Sequence, residues 1–410
     1  MNPRSPVEDV ARVLRLAREA GAWDEGCRSA IFHDLDRLEG RLHELISAFP
    51  ADTMHGVAVK ANPLVELLRV VVASGAGLEA ASWEEVALAR AAGCPPERII
   101  FDSPAKTDDE LQQSMALGLW HNVDHVDELK RLEALGAPGN AKIGLRVNPQ
   151  IGDGSIAFTS TVGRASKFGV PLSDAPELVE RFPFISGLHV HTGSQGCGLE
   201  LLARAAHATA EVAESLGLEW LDVGGGIPVR YTDADPEPPT ISAWAEALST
   251  MPGWGSRRIL TELGRSLHAG TGWALSVVEG VKDVDGVPTL IVHFGADLLL
   301  RRVYRAAEWN HEMVILDPDG VPKQGGVRTH VAGPLCFAGD LIARDRMLPA
   351  AVRGDLLLIR DCGAYTLSMW SRHCNRGLPP SWGYREREMS LLHPGETPED
   401  VVRFWSVERG

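Results

Sequence analysis

The feature that most constrains this chain is a regular alternation of short apolar segments with segments of helical periodicity. The apolar segments span 57–60, 77–81, 98–101, 121–123, 142–147, 185–191, 220–223 and 258–262. Strands that alternate with helices form parallel sheets, because a crossover between parallel strands needs a dozen or more residues. About eight such units over roughly 240 residues fit a closed barrel better than an open sheet. The sequence therefore predicts an α/β fold that contains a (β/α)8 TIM barrel.

The pattern changes at about Leu275, after which helical periodicity is nearly gone. Short β-rich runs at 277–278, 289–292, 313–316, 327–331 and 355–359 are separated by turn sequences such as DPDG, VPKQGG and RGD. This spacing is typical of a mainly β domain, built as a barrel or a sandwich. We therefore expect a barrel domain at 28–275 and a β domain formed by 1–27 and 276–410.

Composition excludes several classes of protein. A formal net charge of −15 disfavours nucleic acids and anionic membranes as partners. No apolar run approaches the ~18 residues of a membrane span, and the amino terminus lacks the apolar core of a secretion signal. The six cysteines share no short metal-ligand spacing, which in a chain of 410 residues indicates reduced thiols. We expect a cytoplasmic protein.

Lys60 follows a short apolar strand and precedes Asn62-Pro63, which stops that strand. A lone ammonium buried at this place would be costly. An enzyme can avoid that cost when the lysine bonds covalently to an aldehyde cofactor. The alternative interpretation is a surface lysine at a strand end.

Other polar residues fall at the ends of different strands, where barrel enzymes do their chemistry: Arg146, His191 and Glu262. The run Gly224–Gly226 can turn several N–H groups toward a phosphate, although tight barrel loops also use glycine. His189 and His191 lie on one strand face, but no third ligand with suitable spacing accompanies them. We therefore expect no metal.

A lysine, an imidazole, a glycine loop and a carboxylate together are what pyridoxal 5'-phosphate requires. Lys60 would bond the aldehyde, and the glycine N–H groups with Ser194 would hold the phosphate. A carboxylate at Glu262 would keep the pyridine nitrogen protonated, so that the ring accepts electrons from the substrate Cα. The charge of Glu262 is the physical reason to expect decarboxylation.

At this point the sequence resembles a known family, the fold-type III pyridoxal-phosphate decarboxylases of the diaminopimelate, ornithine and arginine group, which share the barrel of alanine racemases. The matching motifs occur in family order over most of the chain. They are VAVKANP (57–63), GLEAAS (77–82), LRVNP (145–149), SKFG (166–169), HVHTGSQ (189–195), DVGGGIP (222–228), ELGR (262–265), GPLCFAGD (333–340) and DCGAY (361–365).

The resemblance implies a set of site residues. Three are implied as catalytic: Lys60, which bonds the cofactor, His191, which stacks on its ring, and Cys336, which returns a proton to Cα. The implied cofactor-binding residues are Lys60, Arg146, His191, Ser194, Gly224, Gly225, Gly226, Glu262, Gly264, Arg265 and Tyr365. The implied substrate-contacting residues are Arg265, Arg301, Arg302, Tyr304, Phe337, Asp340 and Tyr365. Arg301 and Arg302 could equally form surface salt bridges.

The resemblance also implies a homodimer with shared active sites, since in such relatives the cysteine loop enters the site of the partner subunit. The β domain would then carry both the cysteine loop and the dimer contacts. The segment 369–384 could line a pocket or pack in the dimer. No membrane or nucleic acid is expected as a partner, only a small amino-acid substrate.

Several positions depart from the family pattern. An acidic residue that reads the distal amine of the substrate normally follows the catalytic cysteine, whereas Phe337 stands there. The usual aspartate is Glu79, the proline of EPGR is Leu263, and the Arg-Pro-x-Leu-Tyr segment is reduced to LRRVY. The motifs that the resemblance assigns to the cofactor match the family, whereas those assigned to the substrate differ from it. Phe337 could instead pack at an interface while another acid reads the amine.

These observations predict a pyridoxal-phosphate-dependent decarboxylase of an L-α-amino acid that is not a simple basic amino acid. A racemase or a lyase is the alternative within the same chemistry. Alanine racemases commonly place an arginine near the pyridine nitrogen, which Glu262 contradicts. A non-catalytic homologue or a cofactor carrier is disfavoured because Lys60 and Cys336 are retained.

Overall fold

The computed structural model describes residues 9–138 and 142–407. The parts of the predicted β domain at 1–8 and 408–410 lie outside the described residues. The helices are α1 (Val10–Glu19), α2 (Leu35–Ala48), α3 (Val65–Ala73), α4 (Trp83–Ala91), α5 (Asp108–Leu117), α6 (Val126–Ala134), α7 (Ala175–Arg181), α8 (Leu199–Ser215), α9 (Ile241–Leu248), α10 (Arg265–His268), α11 (Leu300–Tyr304) and α12 (Pro398–Trp405).

The strands of the described residues mostly alternate with helices in the first two-thirds of the chain, and in the last third only the short α11 lies between strands. They are β1 (Ser29–Asp34), β2 (Met54–Ala58), β3 (Gly77–Ala80), β4 (Ile99–Phe101), β5 (Trp120–Val123), β6 (Ile143–Asn148), β7 (Val170–Pro171), β8 (Ile185–His189), β9 (Trp220–Asp222), β10 (Arg258–Thr261), β11 (Gly272–Val277), β12 (Gly280–Val284), β13 (Val287–Ile291), β14 (Met313–Leu316), β15 (Val327–Ala332), β16 (Leu341–Leu348), β17 (Leu356–Ile359), β18 (Ser381–Tyr384) and β19 (Met389–His393).

Eight parallel strands close into a barrel, which confirms the predicted fold. Their order is β5-β4-β3-β2-β10-β9-β8-β6, and pairing of β5 with β6 completes the ring. Inside the barrel the Trp220 indole is accommodated by glycines, since a Cβ at Gly187 would lie 2.2 Å from its ring. Trp220 packs edge-to-face on Trp120 with ring centroids 5.1 Å apart. This apolar filling leaves the polar residues at the carboxyl ends of the strands.

The β unit contains a six-stranded sheet in the order β14-β17-β11-β1-β18-β19 and a four-stranded sheet in the order β12-β13-β15-β16. Amphipathic α1 buries Val13 and Leu14 in the same apolar cluster as Phe32 of β1. The ring of Phe32 stacks on Trp273 of β11, with centroids 4.4 Å apart. A second cluster lies around Phe294. The structure thus confirms the predicted mainly β architecture of this part of the chain.

Within the described residues the chain divides into a β unit of 9–38, 230–236 and 268–407 and a barrel unit of 39–229 and 237–267. This division differs from the predicted boundaries at 28 and 275. The difference arises because β1 pairs with β11 and β18 of the six-stranded sheet. The apolar run of β1 fits a buried strand in either unit, so the sequence pattern alone does not assign it. No described helix is long and apolar enough to cross a membrane.

Candidate active site

Lys60 follows barrel strand β2 and lies in a single 3-10 turn, Val59–Ala61, rather than in the strand itself. Its side chain is 34% exposed, whereas the Glu79 side chain on β3 is fully buried. The Lys60 ammonium donates a hydrogen bond to the Glu79 carboxylate. Burial raises the pKa of Glu79 to about 8, although the Lys60 charge acts in the opposite direction. Lys60 is therefore oriented by a buried acid and remains accessible to a small molecule.

Glu262 follows barrel strand β10, and its side chain is fully buried. One carboxylate oxygen, Oε2, lies 3.4 Å from His189 Nε2 and 3.2 Å from His191 Nδ1. Burial alone would raise the pKa of Glu262, but the nearby charge of His189 and the hydrogen bond with His191 hold it well below its usual range. Glu262 therefore remains a carboxylate at neutral pH.

His189 is the cationic partner that makes this burial possible. Burial would lower the pKa of His189, but the negative charges of Glu262 and Asp102 raise it to about 9. Its Nδ1 lies 3.5 Å from Asp102 Oδ1 on the side away from Glu262. A positive ring between two carboxylates compensates charges that would be expensive if they were buried alone. His189 belongs to the site although the sequence indicated only a possible metal ligand.

The prediction that no third metal ligand accompanies the two histidines is wrong. Ligand atoms of His189, His191 and Glu262 all lie within 4.8 Å of one another. The sequence concealed this trio because Glu262 comes from a strand about seventy residues away, and spacing arguments detect only ligands that are close in the chain. A metal-binding histidine must be neutral. The raised pKa of His189 therefore favours an ion pair with Glu262 over a metal site.

A second buried layer lies beneath Glu262. The Asn122 amide donates hydrogen bonds to Asp222 Oδ2 (3.2 Å) and Glu262 Oε1 (3.5 Å). Burial, followed by the charge of Glu262, raises the pKa of Asp222 well above its usual range. The charge therefore stays on Glu262, and Asp222 is the neutral member of the pair. Sequence reasoning missed both residues; the available signal was a polar side chain inside an apolar strand.

The glycine loop follows strand β9 and lies against the backbone of neighbouring strand ends. Gly224 and Gly226 have φ angles of 63° and 120°, which favour glycine. A Cβ at Gly225 would lie 2.2 Å from the carbonyl oxygen of Glu262. These contacts explain why three glycines occur together and place the loop beside Glu262.

Ser194 and Arg265 form the other part of the predicted phosphate site. The Arg265 Nε donates a hydrogen bond of 3.0 Å to Ser194 Oγ. Arg265 begins α10 directly after the buried Gly264. A guanidinium and a hydroxyl held together in this way offer donors to a phosphate.

Arg146 lies on β6 and is buried among acids and an aromatic ring. Its Nη1 is 3.3 Å from Asp102 Oδ2, and its Nε is 3.8 Å from Asp124 Oδ1. The guanidinium also lies 4.3 Å from the centroid of the Phe168 ring. Because Asp102 also contacts His189, Arg146 is connected through that acid to the ion pair at Glu262.

In the β unit, Cys336 lies on the connection between β15 and β16 with an exposed thiol. Its backbone N–H donates to Cys374 Sγ at 3.3 Å. The adjacent Phe337 ring stacks on Tyr304, with centroids 6.2 Å apart and an interplanar angle of 14°. The His373 ring meets Phe337 edge-on at 5.6 Å. Phe337, which follows the cysteine, is therefore packed between other aromatic side chains.

The remaining predicted substrate residues occupy three different environments in the β unit. Arg301 lies over Trp309 at 4.2 Å and over Tyr365 at 5.1 Å, and its Nη2 donates to the Tyr365 carbonyl. Arg302 is buried. Asp340 is 3% exposed and accepts backbone hydrogen bonds. The two arginines therefore do not act on one face, as adjacent residues in a short helix point in different directions.

The barrel unit thus brings together Lys60, His191, Glu262, the glycine loop, Ser194 and Arg265 as predicted neighbours at strand ends. This donor set fits pyridoxal phosphate. Lys60 is an accessible amine beside a buried acid, Glu262 is a carboxylate stabilised in its charged form, and Arg265 with Ser194 offers donors to an oxyanion. In the β unit, Tyr304 and His373 contact Phe337 next to Cys336, whereas Arg301, Arg302 and Asp340 lie in other environments.

Comparison with known proteins agrees with this donor set. The sequence model described as "Pyridoxal-dependent decarboxylase, pyridoxal binding domain" matches residues 35–269. The diaminopimelate decarboxylase of Zymomonas mobilis is 32% identical over 360 residues, which cover 84% of each chain. That of Deinococcus radiodurans is 34% identical over 384 residues, which cover 92% of this chain and 94% of the relative.

A solved structure is similar over nearly the whole length. The diaminopimelate decarboxylase of Helicobacter pylori, crystallised with L-lysine, superposes with a TM-score of 0.85 at 26% identity. The superposition covers 94% of this chain and 98% of that one. The similarity therefore extends over both the barrel and the β unit.

Proposed function

The chain belongs to the pyridoxal-dependent decarboxylase family and is an amino-acid decarboxylase that uses pyridoxal 5'-phosphate, and from this premise we propose that its substrate is not a simple basic amino acid. Lysine, ornithine and meso-diaminopimelate are then poor substrates. The relatives support the reaction and the cofactor. The proposal about the substrate departs from their names because of residues particular to this chain.

The observation that carries the proposal is Phe337, directly after Cys336, where the family resemblance implies an acidic reader of a distal amine. A phenyl ring stacked on Tyr304 offers no charge to an ammonium group. The acid that follows in the same segment, Asp340, is engaged otherwise. Its two oxygens accept the N–H groups of Ala296 and Leu335, both at 2.7 Å. A buried ammonium left without a partner is rejected strongly, by up to ~10⁴-fold.

When bound, pyridoxal phosphate supplies an electron sink for the electron pair that remains on Cα as CO2 departs. We assign the protein's contributions to individual residues. Lys60, which is oriented by Glu79, would bond the cofactor aldehyde. Glu262 would lie at the pyridine nitrogen and favour its protonated form, because His189 keeps this carboxylate charged. The pKa of His191 is lowered by burial, which favours a neutral ring suited to stacking.

The other assigned residues hold the phosphate and return the proton. Ser194, Arg265 and the N–H groups of Gly224–Gly226 would bind the phosphate, because charge-assisted hydrogen bonds favour a dianion. Cys336 holds the proton that is delivered to Cα after CO2 has left. We also propose that Cys336 acts in the site of a partner subunit of a homodimer and that the enzyme is cytoplasmic. Both statements remain predictions.

The test is a measurement of CO2 release from the holoenzyme across lysine, ornithine, meso-diaminopimelate and amino acids with acidic or amide distal groups. We expect the three amines to be turned over at least 100-fold less efficiently than the best substrate of the panel, because none finds a carboxylate beside Phe337. A kcat/KM of ~10⁴ M⁻¹s⁻¹ or more for any of the three, a value typical of enzymes on their own substrates, would refute the proposal.

A reciprocal variant sharpens this experiment. Phe337→Glu restores an acid next to Cys336 and should raise the relative kcat/KM for lysine and meso-diaminopimelate by about tenfold or more, since a new charge-assisted hydrogen bond contributes ~1.5–3 kcal/mol. Phe337→Leu is the matched control, because it removes the ring without adding charge and should leave the amines rejected. Equal preferences in the two variants would show that position 337 does not read the distal end.

A further inference from the structure

The barrel unit contains a buried lysine and a buried glutamate that lie outside the group of residues assigned to the cofactor. The Lys106 and Glu128 side chains are 0% and 1% exposed, and the Lys106 ammonium donates a hydrogen bond of 2.8 Å to Glu128 Oε1. His121 Nε2 lies 2.9 Å from the same oxygen. Burial would raise the pKa of Glu128, but the charge of Lys106 and the hydrogen bond with His121 lower it to about 2. The pair is therefore ionised and out of reach of a substrate.

The ammonium of Lys106 connects the ends of two neighbouring strands. Besides its bond to Glu128, it donates a hydrogen bond of 2.6 Å to the carbonyl of Ser103, which comes shortly after β4. It donates a further hydrogen bond of 2.7 Å to the carbonyl of Asn122 on β5. An ammonium group has three N–H donors, so all of them hold a fixed acceptor.

The two backbone positions held by this ammonium carry side chains of the site. Ser103 directly follows Asp102, whose carboxylate lies 3.5 Å from His189 Nδ1. The side-chain amide of Asn122 donates to Glu262 Oε1 at 3.5 Å. A displacement of either strand end would therefore move a group that contacts the buried ion pair of His189 and Glu262.

The second oxygen of Glu128 holds the end of β5 directly. Oε2 accepts the backbone N–H of Asp124 at 3.0 Å. The Asp124 carboxylate in turn accepts the N–H of Gly169 at 3.1 Å and lies 3.8 Å from Arg146 Nε. Glu128 thus fixes the residue whose carboxylate stands beside Arg146.

We propose that Lys106 and Glu128 are positioning residues, which hold the ends of β4 and β5 and thereby the charged groups of the cofactor site. The inference rests on the proposed function, which assigns Glu262 to the pyridine nitrogen. A buried ion pair can be replaced by uncharged residues with little loss of stability, whereas removal of one partner alone is strongly destabilising. This property separates the two roles. Removing both charges repairs the loss of charge compensation, but it does not restore the hydrogen bonds to the strand ends.

The test compares Lys106→Met, Glu128→Gln and the double variant that carries both changes. Each single variant disrupts the charge pair and should unfold at a lower urea concentration than the wild type. The double variant carries neither charge and should recover most of that loss, yet its Ser103 and Asn122 carbonyls still lack their donor. We expect its dissociation constant for pyridoxal phosphate to rise at least tenfold, measured by titration of the cofactor-free protein.

Two further measurements on the holoenzyme report the position of Glu262. With 15N-labelled cofactor, the NMR resonance of the pyridine nitrogen should lie at the protonated value in the wild type and move toward the unprotonated value in the double variant. The kcat on the best substrate should fall at least tenfold while KM changes less than threefold, because a misplacement of ~1 Å in a site can cost ~10²-fold in rate. A pair that only stabilised the fold would change neither quantity in a stable double variant.

Arg257→Met with Glu214→Gln is the matched control. Arg257 is buried and pairs with Glu214 at the amino-terminal end of β10, whereas Glu262 follows the carboxyl end of that strand. Its removal should leave the cofactor dissociation constant, the nitrogen resonance and kcat at their wild-type values. Glu128→Gln guards against failure of the double variant to fold, since it keeps an oxygen for Lys106 and lacks the second acceptor for Asp124. Wild-type values of all three quantities in every folded variant of the pair would overturn the proposal.

The two proposals can fail separately, because cofactor binding and the nitrogen resonance are measured without substrate. Efficient turnover of lysine or meso-diaminopimelate, together with weakened cofactor binding in the double variant, would refute the substrate exclusion and leave the positioning role standing. Rejection of the amines with unchanged cofactor binding, resonance and kcat would do the reverse. An unprotonated nitrogen in the wild type would refute the assignment of Glu262, and the cofactor dissociation constant would then decide the role of the pair.

Discussion

At the scale of single residues, the barrel site consists of charges that stabilise one another in a buried environment. Glu262 remains ionised because His189 is held as a cation, and His189 is held as a cation by Glu262 itself and by Asp102 on its other side. Lys60 is oriented by a hydrogen bond to the buried Glu79. Replacing one member of such a network leaves its partner buried and unpaired, which costs more than the pair contributed.

Lys60→Ala should abolish covalent attachment of the cofactor, because the amine that bonds the aldehyde is lost while the strand-end backbone is unchanged. Treatment with borohydride followed by mass spectrometry should find the cofactor mass on wild-type Lys60 and on no residue of the variant. Lys130→Ala, an exposed helical lysine that pairs with Asp127, is the control and should retain the mass. Fixation in Lys60→Ala at the wild-type rate would show that another lysine carries the cofactor.

We expect the charge of His189 to make the stability of the cofactor-free protein decrease as the pH becomes alkaline. Its pKa is raised from 6.5 to about 9 in the folded state, so its stabilising contribution is complete below pH 6.5 and is lost as pH rises through 9. The contribution is at most about 3 kcal/mol. Urea unfolding between pH 6.5 and 9 should show a flatter profile in His189→Gln than in the wild type. His43→Gln, in an exposed position on α2, is the control and should show the wild-type dependence of stability on pH. Parallel profiles for the wild type and both variants would contradict a cationic His189.

At the scale of elements, the cysteine loop shows that a motif can locate a segment without fixing what its side chains contact. The motif GPLCFAGD predicted the loop, and Asp340 was assigned to the substrate with it. In the structure Asp340 accepts N–H groups from Leu335 and Ala296. A Cβ at Gly333 would lie 2.3 Å from its carboxylate. The acid holds the loop closed, and a motif alone does not show whether an acid faces a ligand or its own backbone.

Asp340→Asn should therefore lower stability, with any change in substrate affinity as a secondary effect. Asparagine offers a single acceptor oxygen, so one of the two N–H groups is left without a partner at a cost of about 1–3 kcal/mol. Urea unfolding of the holoenzyme measures this loss. Asp345→Asn, an exposed acid paired with Arg328, is the control and should unfold as the wild type does. Unchanged stability of Asp340→Asn with a raised KM would instead assign Asp340 to the substrate.

At the scale of the whole molecule, sequence periodicity predicted the secondary-structure elements, because these depend on local pattern. It did not predict which distant residues of the chain come into contact. The barrel strands and most helices follow from apolar spacing and alternation. The same spacing does not assign strand β1 to a unit, because the buried run Ser29–Asp34 suits either the barrel or the β sheet. The trio of His189, His191 and Glu262 also depends on residues that only folding brings together. The family resemblance supplied Cys336, whose role no spacing argument could show.

Whether the active site is shared between two subunits is a question for mixed dimers. If Cys336 acts in the partner's site, then a chain with Lys60→Ala and a chain with Cys336→Ala each lack one half of every site in their own homodimers. In a mixed dimer, one of the two sites combines an intact Lys60 with an intact Cys336. Random exchange makes half of the dimers mixed, so activity should recover toward roughly a quarter of wild type.

The measurement follows decarboxylation after the two variants, each inactive alone, are mixed under conditions of subunit exchange. Exchange is verified separately by mixing tagged and untagged chains and isolating the mixed dimer by its tag. Mixing either variant with itself is the control and should recover nothing. If the mixed dimer forms and remains inactive, Cys336 serves the site of its own subunit. In that arrangement one site of the mixed dimer lacks Lys60 and the other lacks Cys336, so neither is complete.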